Sequence, residues 1–376
     1  MKIAINCWVL RNKQLDGIGY FTVNSVSRMI KNHPEVEFLI MCDKNFTEDY
    51  FKFDNVTLHR VFPALRHPIL YVLYMELVVP LFLKKHKPDV FVSAEGFLSL
   101  LSGCKQLPII YDINFEHKPE DLKLQNRLYF RFFFNKFARK AKRIATISEY
   151  SKQDIAGFYK IDAEKIDNVS CGINGHFDVL APAEVEATRL TWSHGKPYFF
   201  FVGSMHPRKN IRRLIEAFTA FKKNTGSDMA LLLAGSILWK TSDIEKTYEE
   251  SVYKNDIIFT GRLSDADLKK VLGSAFALSF VPIFEGFGLP IVEAMQSGVP
   301  VICSNVTSMP EVAGDAAILV DPFSVNSIAA GMQELAADAN LRQQLIEKGF
   351  QQAKLFSWDR TAEWLWESIQ KTALSK

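Results

Sequence analysis

Short, continuous apolar runs alternate with longer amphipathic segments along the whole chain, and this rhythm constrains the fold more than any other feature. Runs that are apolar throughout suit strands buried on both faces, as in parallel sheets covered by helices. In the first half the expected strands are 2–6, 37–42, 56–61, 90–93, 109–112 and 143–147. In the second they are 198–202, 230–234, 257–260, 277–279, 299–303 and 317–320. Between the two sets, Ile173 to Pro197 loses the periodicity and gains Gly, Pro and polar residues, which marks a boundary. At 376 residues the chain exceeds what one core usually serves. The reading is therefore α/β, with two doubly wound Rossmann-like domains over residues 1–185 and 186–357. A late helix at 358–376, carrying Trp358, Trp364 and Trp366, is expected to dock back across the domain junction.

With 48% hydrophobic and 23% charged residues the composition excludes a disordered chain. The five cysteines are scattered, odd in number and never spaced as CxxC, so neither a disulfide framework nor a zinc site is indicated, and a cytoplasmic, reducing location fits. "MKIAINCWVL" reads as a first buried strand, not as a signal core. The apolar stretch Ile69 to Leu83 is too short to span a bilayer and contains Glu76 and Pro80; it reads as a buried helix.

Four stretches carry chemistry. In "FVPIFEGFGLPIVEAMQSGVP" a strand runs into a turn and Pro290 opens a helix, so the amides of Gly286, Phe287, Gly288 and Leu289 lie at a positive helix end suited to an anion. Glu285 and Glu293 flank that turn, and acids beside an anion site are better suited to accepting hydroxyl hydrogen bonds than to touching the anion. A phosphate attached to polyols combines the two needs; the plainer alternative is that Glu293 only complements the helix dipole. In "YFFFVGSMHPRKNIRRLIEAF" Arg208, Lys209, Arg212 and Arg213 crowd a helix N-terminus, where cations are unfavourable unless an anion joins them. The alternative for Arg212 and Arg213 is a solvated basic face. "LDGIGYFTVNSVSRMI" places Gly17 and Gly19 in a turn before a helix, either for close approach of substrate or as an ordinary turn; it is not a dinucleotide fingerprint. In "PIIYDINFEHKPEDL" Asp112 ends an apolar run and His117 follows, at a strand carboxyl end where open α/β sheets bind ligands; the alternative for a lone histidine is a structural role.

Taken together, these stretches resemble the retaining glycosyltransferases of family 4, whose GT-B architecture has two facing Rossmann-like domains with a crevice between them. The likeness covers nearly the whole chain and centres on two glutamates separated by seven residues, here Glu285, "GFGLPIV" and Glu293. It implies that Arg208 and Lys209 neutralise the diphosphate of a nucleotide-sugar donor and that Glu293 holds ribose hydroxyls. Glu285 and the backbone from Gly286 to Leu289 would contact the donor sugar and its phosphates, and Arg262 with Gly261 would lie near the base. Gly17 and Gly19 would approach the phosphates from the other domain. Where many relatives carry His-Asp, this chain has Tyr111 and Asp112, and His117 matches a histidine of close-looking relatives.

The expected reaction is transfer of a hexosyl unit from a nucleotide-diphosphate sugar to a hydroxyl acceptor, in polysaccharide or glycolipid assembly, with catalytic roles for Glu285, His117 and Asp112. A sugar-nucleotide epimerase and a non-catalytic sugar-nucleotide-binding subunit are the rivals. No cofactor, no nucleic acid and no metal is expected, since no Asp-x-Asp pair follows a strand in the manner of metal-dependent transferases. Lys and Arg outnumber Asp and Glu in residues 1–185 but not in the remainder. From Leu122 to Ser148 there is no acid, and cations interleave with aromatics. That segment reads either as a core helix with solvated cations or as a peripheral contact with an anionic membrane serving a lipid-linked acceptor.

Overall fold

The computed structural model describes residues 1–11, 15–43, 46, 48–61, 68–173, 177–236 and 242–375, so part of the expected boundary loop, residues 174–176, lies outside the described residues. The chain divides into two compact units, Met1–Gly172 with Ser357–Lys376, and Ile173–Phe356. A break at 185 and 186 would cut the helix Pro182–Ser193.

The first unit holds a parallel sheet of β1 (Lys2–Asn6), β2 (Glu37–Cys42), β3 (Val56–Arg60), β4 (Val90–Ser93) and β5 (Gln106–Pro108), in the order β3-β2-β1-β4-β5. Beside it β6 (Ile144–Thr146) and β7 (Ile166–Asn168) form a parallel pair, joined to the sheet's side by a bridge between Ile109 and Ala145. The apolar run expected as a strand over 109–112 is thus mostly buried connection. Pairing is instead made by the three residues before it, and β7 has no apolar run to announce it.

The stretch expected as a buried helix forms the helix Pro68–Leu73, a wider π turn over Tyr74–Val78 and the helix Val79–His86. Pro80 lacks the amide that would bond one turn back, and the Val79 amide reaches past the α register to the Tyr74 carbonyl. Only one side is buried: Tyr74, Met75, Val79 and Leu83 pack with Ala4, Leu39 and Phe91 of the sheet, whereas Leu73, Leu77 and Leu81 face solvent. The aromatic, basic segment forms the helix Leu124–Lys140, with Phe134, Phe137 and Ala138 turned into a core shared with Ile144, Ile155 and Ile166. Among the described residues no helix is long and apolar enough to cross a membrane.

The second unit is a six-stranded parallel sheet of β8 (Tyr198–Val202), β9 (Ala230–Ala234), β10 (Ile257–Gly261), β11 (Ala277–Phe280), β12 (Val301–Ser304) and β13 (Ala317–Val320), ordered β10-β9-β8-β11-β12-β13. The chain winds outward from β8 to β10 and then crosses back to β11 on the other side of β8. The loops leaving β8 and β11 therefore diverge at the topological switch point, where doubly wound sheets take ligands.

The helix Trp358–Leu374 belongs to the first unit. Trp358 is buried with its ring edge-on to Phe21, Trp366 stacks on His33 at 3.8 Å and Arg28 pairs with Asp359 at 3.0 Å. At Gly172 the chain crosses the start of this helix so closely that a Cβ there would stand 2.1 Å from the Trp358 amide nitrogen. Asp167, at the end of the chain's first pass, anchors the helix: its carboxylate accepts two hydrogen bonds from Arg143 at 2.6 and 2.7 Å and one from the Ser368 hydroxyl at 2.7 Å. Burial alone would raise the Asp167 carboxyl, but the hydrogen bonds from Arg143 and Ser368 more than offset it and hold the group below the usual carboxylate range. Its stabilisation is accordingly present above the unfolded carboxylate pKa and is lost as pH falls through the depressed folded value. Asp167→Asn should lower stability near neutral pH by about 1.5 to 3 kcal/mol, the scale of a lost charged hydrogen-bond set. In thermal unfolding across acidic pH the gap between wild type and variant should close; a gap independent of pH would show that the carboxylate charge is not what holds the helix.

Candidate active site

The β8 strand is apolar and buried, and its chain then turns through Gly203 to a single 3-10 turn, Pro207–Lys209. His206 caps that turn by accepting the Arg208 amide on Nδ1 at 3.2 Å. Asn210 follows at φ 63°, a left-handed conformation that Asn tolerates better than most residues, and separates the turn from the helix Ile211–Thr225. The Asn210 amide group donates to the Val281 carbonyl at 3.0 Å and to the Pro322 carbonyl at 2.7 Å, and the Ile283 amide donates to the Arg208 carbonyl at 2.7 Å. These bonds clamp the loops after β8, β11 and β13 to one another, so Arg208 and Lys209 are presented on a fixed base.

The loop after β11 brings Glu285 against both cations. One carboxylate oxygen accepts from Arg208 at 2.5 Å and pairs with the Lys209 ammonium, while Arg208 also donates to the Phe284 carbonyl at 3.1 Å. Burial alone would raise the Glu285 carboxyl, and the charges of Lys209 and then Arg208 more than offset it, keeping the group ionised. Lys209 is almost fully buried, over the Phe280 ring at 4.9 Å. The crowding of cations expected to demand an outside anion is thus answered partly within the chain, by the glutamate expected to face hydroxyls. Two cations thus share one carboxylate oxygen at the switch point.

Beyond Glu285 the turn closes through Gly288 at φ 103°, a conformation strained for L side chains and one in which a Cβ would meet Met309 at 2.8 Å. The Ser308 hydroxyl lies 2.9 and 3.0 Å from the Glu285 and Phe287 carbonyls and fixes the turn's shape. The helix Leu289–Gln296 then begins with Pro290 in its first turn, so its leading amides lack intrahelical acceptors. The Phe287 side chain is buried edge-on to Phe356, which leaves this residue only its backbone for a ligand.

Glu293 is half-buried one turn into that helix, and among the described residues its carboxylate makes no hydrogen bond or ion pair. Burial, with a smaller push from the charge of Asp265, raises it to about 7. Arg262 is exposed just beyond Gly261, at the end of β10, likewise unpaired among the described residues. Asp265 and Asp267 do form an Asp-x-Asp after a strand, contrary to the expectation from sequence. Both lie in the first turn of the helix Asp265–Gly273, where Ser264 caps the Asp267 amide, a position in which acids complement the dipole. Among the described residues no group of three or more His, Cys, Asp and Glu could hold a metal.

The remaining candidates belong to the first unit. Asp16 caps the helix Gly17–Asn32 and accepts the Gly19 amide at 2.9 Å; Gly19 is buried against Leu15, while Gly17 is open. Asp112 accepts the Asn114 amide at 3.0 Å, and His117 pairs with Asp154 at 2.8 Å. Tyr111, where many relatives carry a histidine, is half-buried and donates its hydroxyl to the Ala94 carbonyl at 3.0 Å. Sequence reasoning missed His206, Asn210 and Ser308, which shape the loops; the left-handed tolerance of Asn in "HPRKN" is the available signal.

Two family models match, between them covering most of the chain: Glycosyltransferase Family 4 over residues 15–176 and Glycosyl transferases group 1 over residues 184–352. The chain belongs to this glycosyltransferase family. O-antigen chain mannosyltransferase B of Escherichia coli is 34% identical over 223 residues, which make up 58% of this chain and 58% of that protein. The serotype-specific mannosyltransferase WbdA of Escherichia coli is 28% identical over 239 residues, 61% of this chain but 29% of that protein. The chain thus matches little more than half of the first relative's length and under a third of the second's. Among solved structures, HepE of Anabaena in complex with UDP and glucose superposes with a TM-score of 0.76 at 16% identity, covering 98% of this chain and 99% of that one. A glycosyltransferase from Rickettsia africae gives 0.74 at 17%, covering 100% and 99%. At these identities the likeness establishes the fold, which is GT-B.

Glu293, without an ion pair among the described residues, sets a pH dependence. Its folded pKa lies above the ordinary 4.5, at about 7, so the native state holds a proton that the unfolded chain releases. The stability it confers is present below the unfolded value and is lost as pH rises through the folded one. Glu293→Gln should therefore be more stable than wild type at pH 8, with the difference shrinking toward pH 4.5. Urea unfolding of both proteins across that range checks it.

Proposed function

We propose that this chain transfers a mannosyl unit from a nucleoside-diphosphate mannose to a hydroxyl of a saccharide or lipid-linked acceptor, with retained configuration and without a metal or other cofactor. The family supports glycosyl transfer, and the relatives named as mannosyltransferases support the sugar. The observation that carries the reading is the Arg208–Glu285–Lys209 cluster at the switch point. A glycosyl transfer must stabilise a departing diphosphate while the sugar gains oxocarbenium character, and fixed cations aimed at the leaving group are the principal means. The diphosphate takes over Arg208 and Lys209, supported by the amides from Gly286 to Leu289, and Glu285 is released to accept sugar hydroxyls. Glu293 accepts ribose hydroxyls, with Arg262 near the base. Asp112 and His117 serve the acceptor side, and attack occurs on the face from which the diphosphate leaves.

The site of action we propose is the cytoplasmic face of a membrane, with peripheral attachment through the helix Leu124–Lys140. Leu124, Leu128 and Phe132 are exposed on it among the exposed cations Arg131, Lys136 and Lys140. Arg143, which the sequence grouped with these cations, is bound to Asp167 and is not part of that surface.

Two measurements test the chemistry. Arg208→Ala should weaken nucleoside-diphosphate binding by about 1.5 to 3 kcal/mol in calorimetry; unchanged affinity in the folded variant removes Arg208 from the site. Transfer should survive EDTA, because fixed cations supply the charge a divalent ion would bring. A rate that collapses with chelator and returns with Mg²⁺ or Mn²⁺ defeats the metal-free reading.

A further inference from the structure

The first unit has a switch point of its own. From β1 its chain winds outward to β2 and β3 and then crosses back to β4 on the other side of β1, so the loops leaving β1 and β4 diverge. Asn6 ends β1 and Ser93 ends β4, and the two are register partners, which sets their side chains next to each other on one face of the sheet. Both are buried, at 1% and 0% exposure, and neither Asn6 Nδ2 nor Ser93 Oγ has a hydrogen-bond partner among the described residues. The Tyr74 hydroxyl donates to Asn6 Oδ1 at 3.2 Å, which fixes the amide's oxygen and leaves its donors to be met from elsewhere. Buried polar groups of this kind ordinarily meet water or a ligand.

Two residues beyond Ser93 stands a half-buried carboxylate. Glu95 accepts the Tyr71 hydroxyl on Oε2 at 3.1 Å. Its backbone is held on both sides: the Tyr111 hydroxyl donates to the Ala94 carbonyl at 3.0 Å, and Gly96 follows at φ 79°, where a Cβ would stand 3.3 Å from the Ile109 carbonyl. The carboxylate lies near the buried pair, since after burial its charge is the next cause that raises the Tyr74 hydroxyl, the one bonded to Asn6. Rings surround Tyr71: it stands edge-on to the buried Trp8 at 5.2 Å and tilted against the half-buried Phe97 at 4.8 Å.

We propose that Glu95, with Tyr71 and the rings of Trp8 and Phe97 around it, binds the acceptor as an uncharged sugar residue, its carboxylate accepting sugar hydroxyls and so selecting a glycan end over a phosphate-bearing acceptor. A partly dehydrated carboxylate can only accept hydrogen bonds, which hydroxyls donate; phosphate oxygens are themselves charged acceptors and are repelled. A pyranose has apolar faces and a polar rim, which suits a site of aromatic walls and a few placed polar groups. A water between the sugar and the sheet would satisfy Asn6 and Ser93. The reaction that supplies this acceptor is then an earlier glycosyl transfer, one that has already left a neutral sugar at the growing end. The inference rests on the glycosyl transfer proposed above and names its acceptor, but it stands on the first unit, whereas the donor reading stands on the second.

Saturation-transfer NMR on the whole chain tests it, with the methyl α-glycosides of mannose, glucose, galactose and N-acetylglucosamine as probes and excess GDP or UDP present to occupy the donor site. Wild type should bind at least one glycoside, and should bind mannose 6-phosphate about tenfold more weakly than that glycoside. Glu95→Gln keeps the shape and loses the charge; it should weaken glycoside binding about tenfold and bring the phosphorylated sugar toward parity, a change that a merely structural role of Glu95 would not produce. Tyr71→Phe, which keeps the ring and loses the hydroxyl that holds the carboxylate, should weaken glycoside binding to a lesser extent, and it carries the test if Glu95→Gln loses its near-ultraviolet circular dichroism. Absence of glycoside binding by wild type, unchanged binding in the variants, or equal binding of the phosphorylated sugar by wild type each overturns the proposal. Glycoside binding that depends on Glu95 while Arg208→Ala leaves nucleoside-diphosphate affinity unchanged supports this site and removes the donor reading instead.

Discussion

A single carboxylate, Glu285, ties the two loops that leave the sheet on either side of its switch point. Arg208 and Lys209 stand on the loop after β8 and Glu285 on the loop after β11, a separation of 77 residues between Arg208 and its partner. Without that charge two cations would lie together in a largely dehydrated place, and without the cations the glutamate would be a buried, unpaired acid; either alone is costly. The clamp made by Asn210 fixes the backbone beneath them. The arrangement is therefore a pair of cations held on a fixed base by one carboxylate, and it is this pair on which the proposed role at a departing diphosphate rests.

The two acids that flank the turn have opposite electrostatic situations although they sit on the same short segment. Glu285 has cationic neighbours and stays ionised; Glu293 has burial and Asp265 and is raised to about 7. Divergent environments of this kind separate the roles of similar side chains. Here the ionised one holds Arg208 and Lys209, and the other, which makes no hydrogen bond or ion pair among the described residues, is of the kind that can share a proton with a hydroxyl group.

The first unit places its unusual features on the surface. Helix Leu124–Lys140 turns Phe134 and Phe137 inward and keeps Arg131, Lys136 and Lys140 outward, and Leu73, Leu77 and Leu81 of the stretch 69–83 face solvent. The carboxyl-terminal helix returns to this unit through Asp167, so residues far apart in sequence share one core. A reading from pattern alone assigned the helical stretch 69–83 to the interior because apolar content does not say which side of a helix will find a partner. It likewise placed a strand at 109–112, where Ile109 and Ile110 are buried but make only the edge of a ladder, while Gln106–Pro108, which has no apolar run, supplies the paired residues.

What the sequence by itself determined is the architecture of the second unit, strand by strand, and the identity of the turn that opens the helix at Pro290. Those features follow from local regularities: runs buried on both faces, a strand's end, a proline in a helix's first turn, each decided within a few residues. The same locality made Arg208, Lys209, Glu285 and Glu293 visible as candidates. Only the tertiary structure decided their relations: that Glu285 meets the cations, that Glu293 meets none among the described residues, that His117 is paired with Asp154, and that Arg143 anchors a terminal helix. The reason is physical. Propensity and periodicity act between chain neighbours, whereas Coulomb attraction and burial depend on distance and surrounding dielectric in space, and these exist only once the chain has brought its distant parts together.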